Sequence, residues 1–172
     1  MKSYPTNQIR NLAVIGHGHA GKTQLVSSLL HLAGATPRWG KVDEGTTVTD
    51  YEEDSIARKI TLNTQFAHGE WREHKVNFID TPGFSAFVPH ARPALRVADC
   101  ALVVVDAVSG VEVGTEKTWG YANEFITPRM MVVTKLDKER ADFGAALDSA
   151  RHTFSRAIVP FTLPIGQEAN FK

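Results

Sequence analysis

The run Gly16-His17-Gly18-His19-Ala20-Gly21-Lys22-Thr23 constrains this chain more than any other feature. It fits G-x-x-x-x-G-K-[ST], a loop that holds phosphates between a strand and a helix. Its surroundings have the required form. Residues 11–15 read as a short apolar strand before it, and Leu25, Val26, Leu29, Leu30 and Leu32 follow at helical spacing. Glycines let the backbone curl so that successive N–H groups point at phosphate oxygens, and the helix adds its positive N-terminal end. Lys22 has the reach to set an ammonium against β- and γ-oxygens, and the Thr23 hydroxyl can ligate Mg²⁺.

The rest of the chain alternates strands with helices. Residues 60–66 alternate apolar and polar as a half-buried strand, and residues 76–79 form the next one. Residues 67–75, centred on His68-Gly69, read as a hairpin connection between the two. The runs 102–105 and 130–133 read as fully buried strands. Helical patterns cover residues 87–97, 113–125 and 141–155. This order predicts a mostly parallel α/β sheet with one antiparallel edge strand and ligands at the carboxyl ends of the strands. Residues 34–53 are polar and turn-rich and read as a long mobile loop, of the kind that usually carries function.

Composition excludes several classes. With 172 residues the chain suits one domain, and its net charge of +0 gives no global field for nucleic acid or anionic lipid. No direct sequence-specific nucleic-acid binding is expected. Cys100, the one cysteine, excludes an internal disulfide, and its apolar run suits a buried structural thiol. The polar N-terminus lacks a signal-peptide stretch, and the apolar run 100–105 is too short to span a bilayer. A cytoplasmic chain without a membrane partner is expected.

Three further motifs join the phosphate loop. Asp80-Thr81-Pro82-Gly83 follows the strand at 76–79. An Asp there can hold a metal-bound water, and a Gly three residues on can offer its N–H to a γ-phosphate. Alone these are ordinary turn formers. Thr134-Lys135-Leu136-Asp137 follows the strand at 130–133. Asp137 can accept two hydrogen bonds from guanine N1 and its amino group, a donor pair adenine lacks, while the Lys135 stem packs along the base. Read without the phosphate loop, this segment is a helix cap with Glu139 downstream. Arg58-Lys59-Ile60-Thr61 closes the mobile loop. Thr61 is the candidate to give its hydroxyl to Mg²⁺ and its N–H to the γ-phosphate, with Thr46, Thr47 and Thr49 as competitors. His17 and His19 suggest a metal pair only weakly, since no other His or Cys cluster accompanies them. An ATP-using phosphate-loop kinase is the competing enzyme class, and Asp137 argues against it.

With these motifs in order the chain resembles the translational GTPases, specifically the elongation factor G family. The likeness extends over Arg96-Val97-Ala98-Asp99, Val105 to Val111, Lys135 to Phe143 and Leu163 to Phe171. Gly45-Thr46-Thr47-Val48-Thr49-Asp50-Tyr51 is similar to a side branch of that family more than to the main translocase. The resemblance implies a Ras-like P-loop GTPase sandwich, GTP or GDP with Mg²⁺, and a ribosomal partner. Gly16 to Thr23, Asp80 to Phe84 and Thr134 to Asp137 would bind the nucleotide. Thr23, Thr61 and, through water, Asp80 would hold the metal. Lys22, Thr61 and Gly83 would serve hydrolysis.

Four residues depart from the pattern. Phe84 stands where the translocase has the His that orients the attacking water, and a phenyl ring cannot do this. Slow hydrolysis, or a binding switch with little turnover, is the expectation. Thr134 replaces the usual Asn and is expected to lose a hydrogen bond of roughly 0.5–1.5 kcal/mol. His19 stands in place of a frequent Asp, and Lys59 in place of a frequent Gly. The resemblance further implies that residues 1–156 are the nucleotide domain without its last strand and helix. Residues 157–172 would begin an inserted subdomain, leaving the strand at 130–133 as an uncovered edge.

Overall fold

A computed structural model describes residues 2–172. Five strands form one sheet in the order β2-β3-β1-β4-β5. They are β1 (Ile9–Gly16), β2 (Gln65–Trp71), β3 (His74–Asp80), β4 (Cys100–Asp106) and β5 (Arg129–Thr134). Only the β2–β3 pair is antiparallel, while β1 runs parallel to both β3 and β4, and β4 to β5. The helices are α1 (Lys22–Leu32), α2 (Glu53–Arg58), α3 (Ala91–Val97), α4 (Val113–Glu124) and α5 (Phe143–Thr153).

The central strands carry apolar side chains on both faces, so the sheet is covered twice. On β1, Val14 packs with Val26, Leu30, Phe78 and Val104 on the α1 side. Its neighbours Ala13 and Ile15 pack with Leu95, Val103, Val105 and Ala122 on the side of α3 and α4. The pleat makes this division automatic, because successive residues point to opposite faces. Phe154, just after α5, stacks on Trp119 of α4 with ring centroids 4.1 Å apart.

The topology decides where a ligand can sit. Central β1 is flanked by β3 on one side and by β4, reached by a crossover through α3, on the other. The crevice beyond the carboxyl ends of β1, β3 and β4 is the binding position of such sheets. Gly16, Asp80 and Asp106 end those strands.

Four expectations are corrected. The strand expected at 60–66 begins only at Gln65, and residues 60–64 are irregular. Phe66, expected inside, is 69% exposed, whereas Gln65 is buried. The face of β2 turned to α1 carries Gln65, Ala67 and Gly69, and a Cβ on Gly69 would lie 3.1 Å from the Ala33 Cβ. The crowded face therefore takes the residue with no side chain, which puts Phe66 on the other face. The hairpin turns at Arg72-Glu73, not at His68-Gly69; both turn residues have positive φ, 46° and 66°, the primed-turn geometry that matches strand twist. Finally, the loop at 34–53 contains a 3₁₀ turn, Val42–Glu44, and runs into the unanticipated helix α2. Its Thr47, Thr49 and Asp50 are buried. The helical pattern at 87–97 resolves into a 3₁₀ turn, Val88–His90, followed by α3.

Candidate functional site

One cavity of about 840 Å³ opens at the carboxyl ends of the strands. Its walls include Gly18, His19 and Gly21 to Thr23 of the phosphate loop, Thr61, Gly83 and Phe84, and Thr134 to Asp137. Segments more than a hundred residues apart in sequence thus face one space. Gly16, His17, Ala20, Asp80, Thr81 and Pro82 support the walls from behind: Ala20, Asp80, Thr81 and Pro82 are buried, and the Thr81 hydroxyl donates to the Val14 carbonyl at 2.7 Å.

The lysine of the phosphate loop reaches back to its own loop. Lys22, only 6% exposed, donates from Nζ to the His17 carbonyl at 2.7 Å. Burial lowers its pKa to about 8, against the attraction of Asp80 and Asp50. Asp80 is fully buried. Burial pushes its carboxyl up to about 6, although Thr23, Lys22 and Thr49 pull the other way. Both charges are therefore poorly solvated and strain toward neutrality. A polyanion with a cation would relieve the two together.

The hydroxyls separate the competing threonines. Thr23 Oγ1 and Thr61 Oγ1 lie 2.9 Å apart, both buried. The Thr49 hydroxyl instead donates to Asp80 Oδ2 at 2.9 Å. Thr46 accepts the Lys41 N–H on the exposed side, and the Thr47 hydroxyl is buried without a partner. Asp80 Oδ1 and Asp50 Oδ1 are likewise buried and unpartnered. Among the described residues no cluster of three or more His, Cys, Asp or Glu could hold a metal. A site of two hydroxyls, with carboxylates acting through water, is a different donor set. It suits a hard, oxygen-seeking cation that also takes phosphate oxygens. The orphaned carboxylate oxygens fit that group.

Gly83 cannot be replaced where it stands. A Cβ on it would lie 2.2 Å from Lys22 Nζ and 2.6 Å from the Gly18 nitrogen. The chain after β3 thus rests directly on the phosphate loop. Phe84 follows, with its ring edge-on to His19 at 4.8 Å between centroids and against Gly18, whose added Cβ would meet it at 3.0 Å. The two histidines do separate things. His17 Nδ1 accepts the Gly114 N–H at 3.1 Å, so the neutral ring carries its proton on Nε2, which faces Glu112 at 3.5 Å.

On the base side, the Thr134 hydroxyl donates to the Ala20 carbonyl at 2.7 Å. Through this contact Thr134 ties its loop to the phosphate loop. Lys135 takes a left-handed φ of 59°, and its ammonium donates to Asp106 Oδ2 at 2.7 Å. Burial works to raise the Asp106 carboxyl, but Lys135 and the Val108 N–H hold it below its ordinary value. Asp137 is exposed at the cavity wall.

Four participants escaped the sequence reading: Asp50, Asp106, Gly114 and Phe171. Asp50 sits in a polar loop where any Asp reads as a turn former. Asp106 and Gly114 matter only through residues of other loops. Phe171 lines the cavity from a segment without periodicity. Only the paired position of Asp106, at the tip of a buried strand like Asp80, was a usable signal.

Comparison with known proteins agrees with this geometry. The family model for the elongation factor Tu GTP binding domain matches residues 7–166. Elongation factor G 2 of Streptomyces coelicolor is 39% identical over 171 residues, which cover 99% of this chain and 25% of that protein. Elongation factor G of Petrotoga mobilis is 37% identical over 169 residues, 98% of this chain and 24% of that protein. The chain thus spans about a quarter of the length of these relatives. A crystal structure of a Thermus thermophilus protein superposes with a TM-score of 0.89 at 43% identity, covering 95% of this chain and 24% of that one. Among the described residues no helix is long and apolar enough to cross a membrane. The chain belongs to the family of the elongation factor Tu GTP-binding domain, and within it is an elongation factor G-like GTP-binding domain.

Proposed function

We propose that this chain binds GTP and GDP together with Mg²⁺ and hydrolyses GTP as part of a cytoplasmic translation factor that works on the ribosome. The observation that carries the reading is the cavity on which Gly18, His19, Gly21 to Thr23, Thr61, Gly83 and Thr134 to Asp137 converge. Residues 1–156 serve as the nucleotide domain, and residues 157–172 begin an inserted subdomain.

The residues divide the work by chemistry. The amides of Gly16 to Thr23 and the Lys22 ammonium take the β- and γ-oxygens, where charge develops as the γ-phosphoryl leaves. The buried, poorly solvated state of Lys22 favours this use, since its ammonium, held in the protein by one carbonyl contact to His17, gains anionic oxygens beside it. Thr23 and Thr61 supply hydroxyls to the metal, and Asp80 and Asp50 orient its waters through the oxygens that have no protein partner. When bound, Mg²⁺ neutralises charge shared between the β- and γ-oxygens. The Gly83 N–H reads the γ-phosphate, and Asp137 reads the guanine edge. Loss of the γ-phosphate would release Thr61 and the segment leading to it.

A second reading is a guanine-nucleotide switch with little turnover. The packing of Phe84 against His19 and Gly18 supports it, because the side chain set beside the phosphate loop is an apolar ring that cannot hydrogen-bond a water. Single-turnover hydrolysis with and without ribosomes, on the wild type and Phe84→His, separates the two. Slow wild-type turnover that the variant raises about tenfold or more supports the switch reading. Fast ribosome-stimulated turnover by the wild type supports the enzyme and removes Phe84 as a limit. Labelled GDP displaced by ATP as readily as by GTP would refute both.

A further inference from the structure

Two aromatic side chains from outside the phosphate and base motifs line the cavity, Trp39 and Phe171. Phe171 lines it beside Leu136, Asp137 and Lys138, although it lies more than thirty residues beyond them in sequence. It is brought there by a clamp. The Glu168 N–H donates to the Leu136 carbonyl at 3.0 Å, and Glu168 Oε1 accepts the Arg140 N–H at 2.8 Å. Glu168 holds a left-handed φ of 50° to make both contacts, a conformation unfavourable for a residue with a Cβ. The ends of the segment are tied as well: Phe171 N–H donates to Glu168 and Lys172 N–H to Ile165, each at 3.0 Å. Gly166 permits this closure, since a Cβ on it would lie 2.1 Å from the Asn170 carbonyl oxygen.

We propose that Phe171 is a base-recognition residue: its ring forms a wall of the purine subsite and stacks on the guanine whose edge meets Asp137. The inference rests on the nucleotide reading above. At 38% exposure the ring is neither a core residue nor a free surface one. A flat apolar group at the rim of a polar site offers a face to a purine, and base–aromatic contacts of this kind contribute about tenfold or more in affinity. The clamp makes the wall conditional, because it exists only while Glu168 grips the loop from Leu136 to Arg140.

The test uses calorimetric titration of the 172-residue chain with GDP·Mg²⁺ and with pyrophosphate·Mg²⁺, a probe that has no base. Phe171→Ala should weaken GDP about tenfold and leave pyrophosphate unchanged, and Phe171→Trp should restore GDP binding. Glu168→Ala, which removes the carboxylate contact to Arg140 and leaves the backbone contact and the ring in place, should give a smaller loss with the same selectivity. An unchanged GDP affinity in Phe171→Ala overturns the proposal. So does an equal loss for both probes, which marks a structural role. A wild-type chain that binds neither probe refutes the nucleotide reading itself, whereas wild-type binding without a selective loss refutes the role of Phe171 alone.

Discussion

Two glycines of α4 should respond to the same substitution with opposite signs. Helix propensity alone says that Gly→Ala stabilises a helix by about 1 kcal/mol, because glycine loses more backbone entropy on folding. Gly120 is exposed, and a Cβ there would meet nothing within 4 Å. Gly120→Ala should therefore gain close to the full amount and raise the melting temperature by about 2–4 °C. Gly114 is buried at the start of the same helix. A Cβ there would lie 2.7 Å from His17 Nδ1 and 2.9 Å from both the Gly83 carbonyl oxygen and the His17 Cα. Two of these are backbone atoms of other loops and cannot swing aside. Overpacking of this kind costs roughly 1–3 kcal/mol, and the bond from the Gly114 N–H to His17 is worth roughly another 1 kcal/mol if it is lost. At the first turn the propensity gain is smaller than in the interior, so Gly114→Ala should lose about 1–3 kcal/mol, some 3–8 °C in melting temperature. Urea denaturation of both variants beside the wild type checks the pair. If Gly114→Ala were as stable as Gly120→Ala, the tight junction of α4 with the phosphate loop and the Gly83 turn would be refuted.

Two further outcomes follow from backbone and charge. Lys59 caps α2 in a left-handed conformation with φ 54°. Lys59→Gly should stabilise by about 1 kcal/mol, since the exposed Lys59–Asp43 pair at 3.4 Å offsets little of it; an unchanged urea midpoint would sink this. The second concerns pH. Asp80 has its carboxyl raised to about 6, so its share of stability is present below the unfolded value near 4 and is lost as pH rises to 6. Lys22 is lowered to about 8, so its share is present above 10.5 and is lost as pH falls to 8. Together they put the weakest stability of the nucleotide-free chain between about pH 6 and 8. Melting curves across pH should show that trough in wild type and a shallower one in Asp80→Asn, and a trough of equal depth in both would refute the assignment.

The motifs were legible because each is local. Gly16 to Thr23 specifies a turn and a cation within one short run, and the strand and helix beside it are read from periodicity. Asp80 and Thr134 to Asp137 announced themselves by following apolar strands, and the sheet order sets both at the same edge. The departure of the strand expected at 60–66 has a physical reason. Its alternation was real, but the edge strand chose its inner face by steric room against α1, at Gly69, and not by hydrophobicity. The turn at Arg72-Glu73 lacks the glycine or asparagine that usually marks such geometry.

Sequence alone determined the groups on offer: a Gly-rich loop with a lysine and a threonine, carboxylates after apolar strands, and the phenyl ring of Phe84 after Gly83. Which groups meet was decided by the fold. Thr61 rather than Thr49 faces Thr23, Asp50 and Asp80 are left with unpartnered oxygens, and Gly114 is pressed between two loops. Spacing along a chain encodes contacts only within a few residues. Contacts between loops depend on how the packed sheet brings strand ends together, and on burial that raises or lowers a charge only once the neighbours are in place.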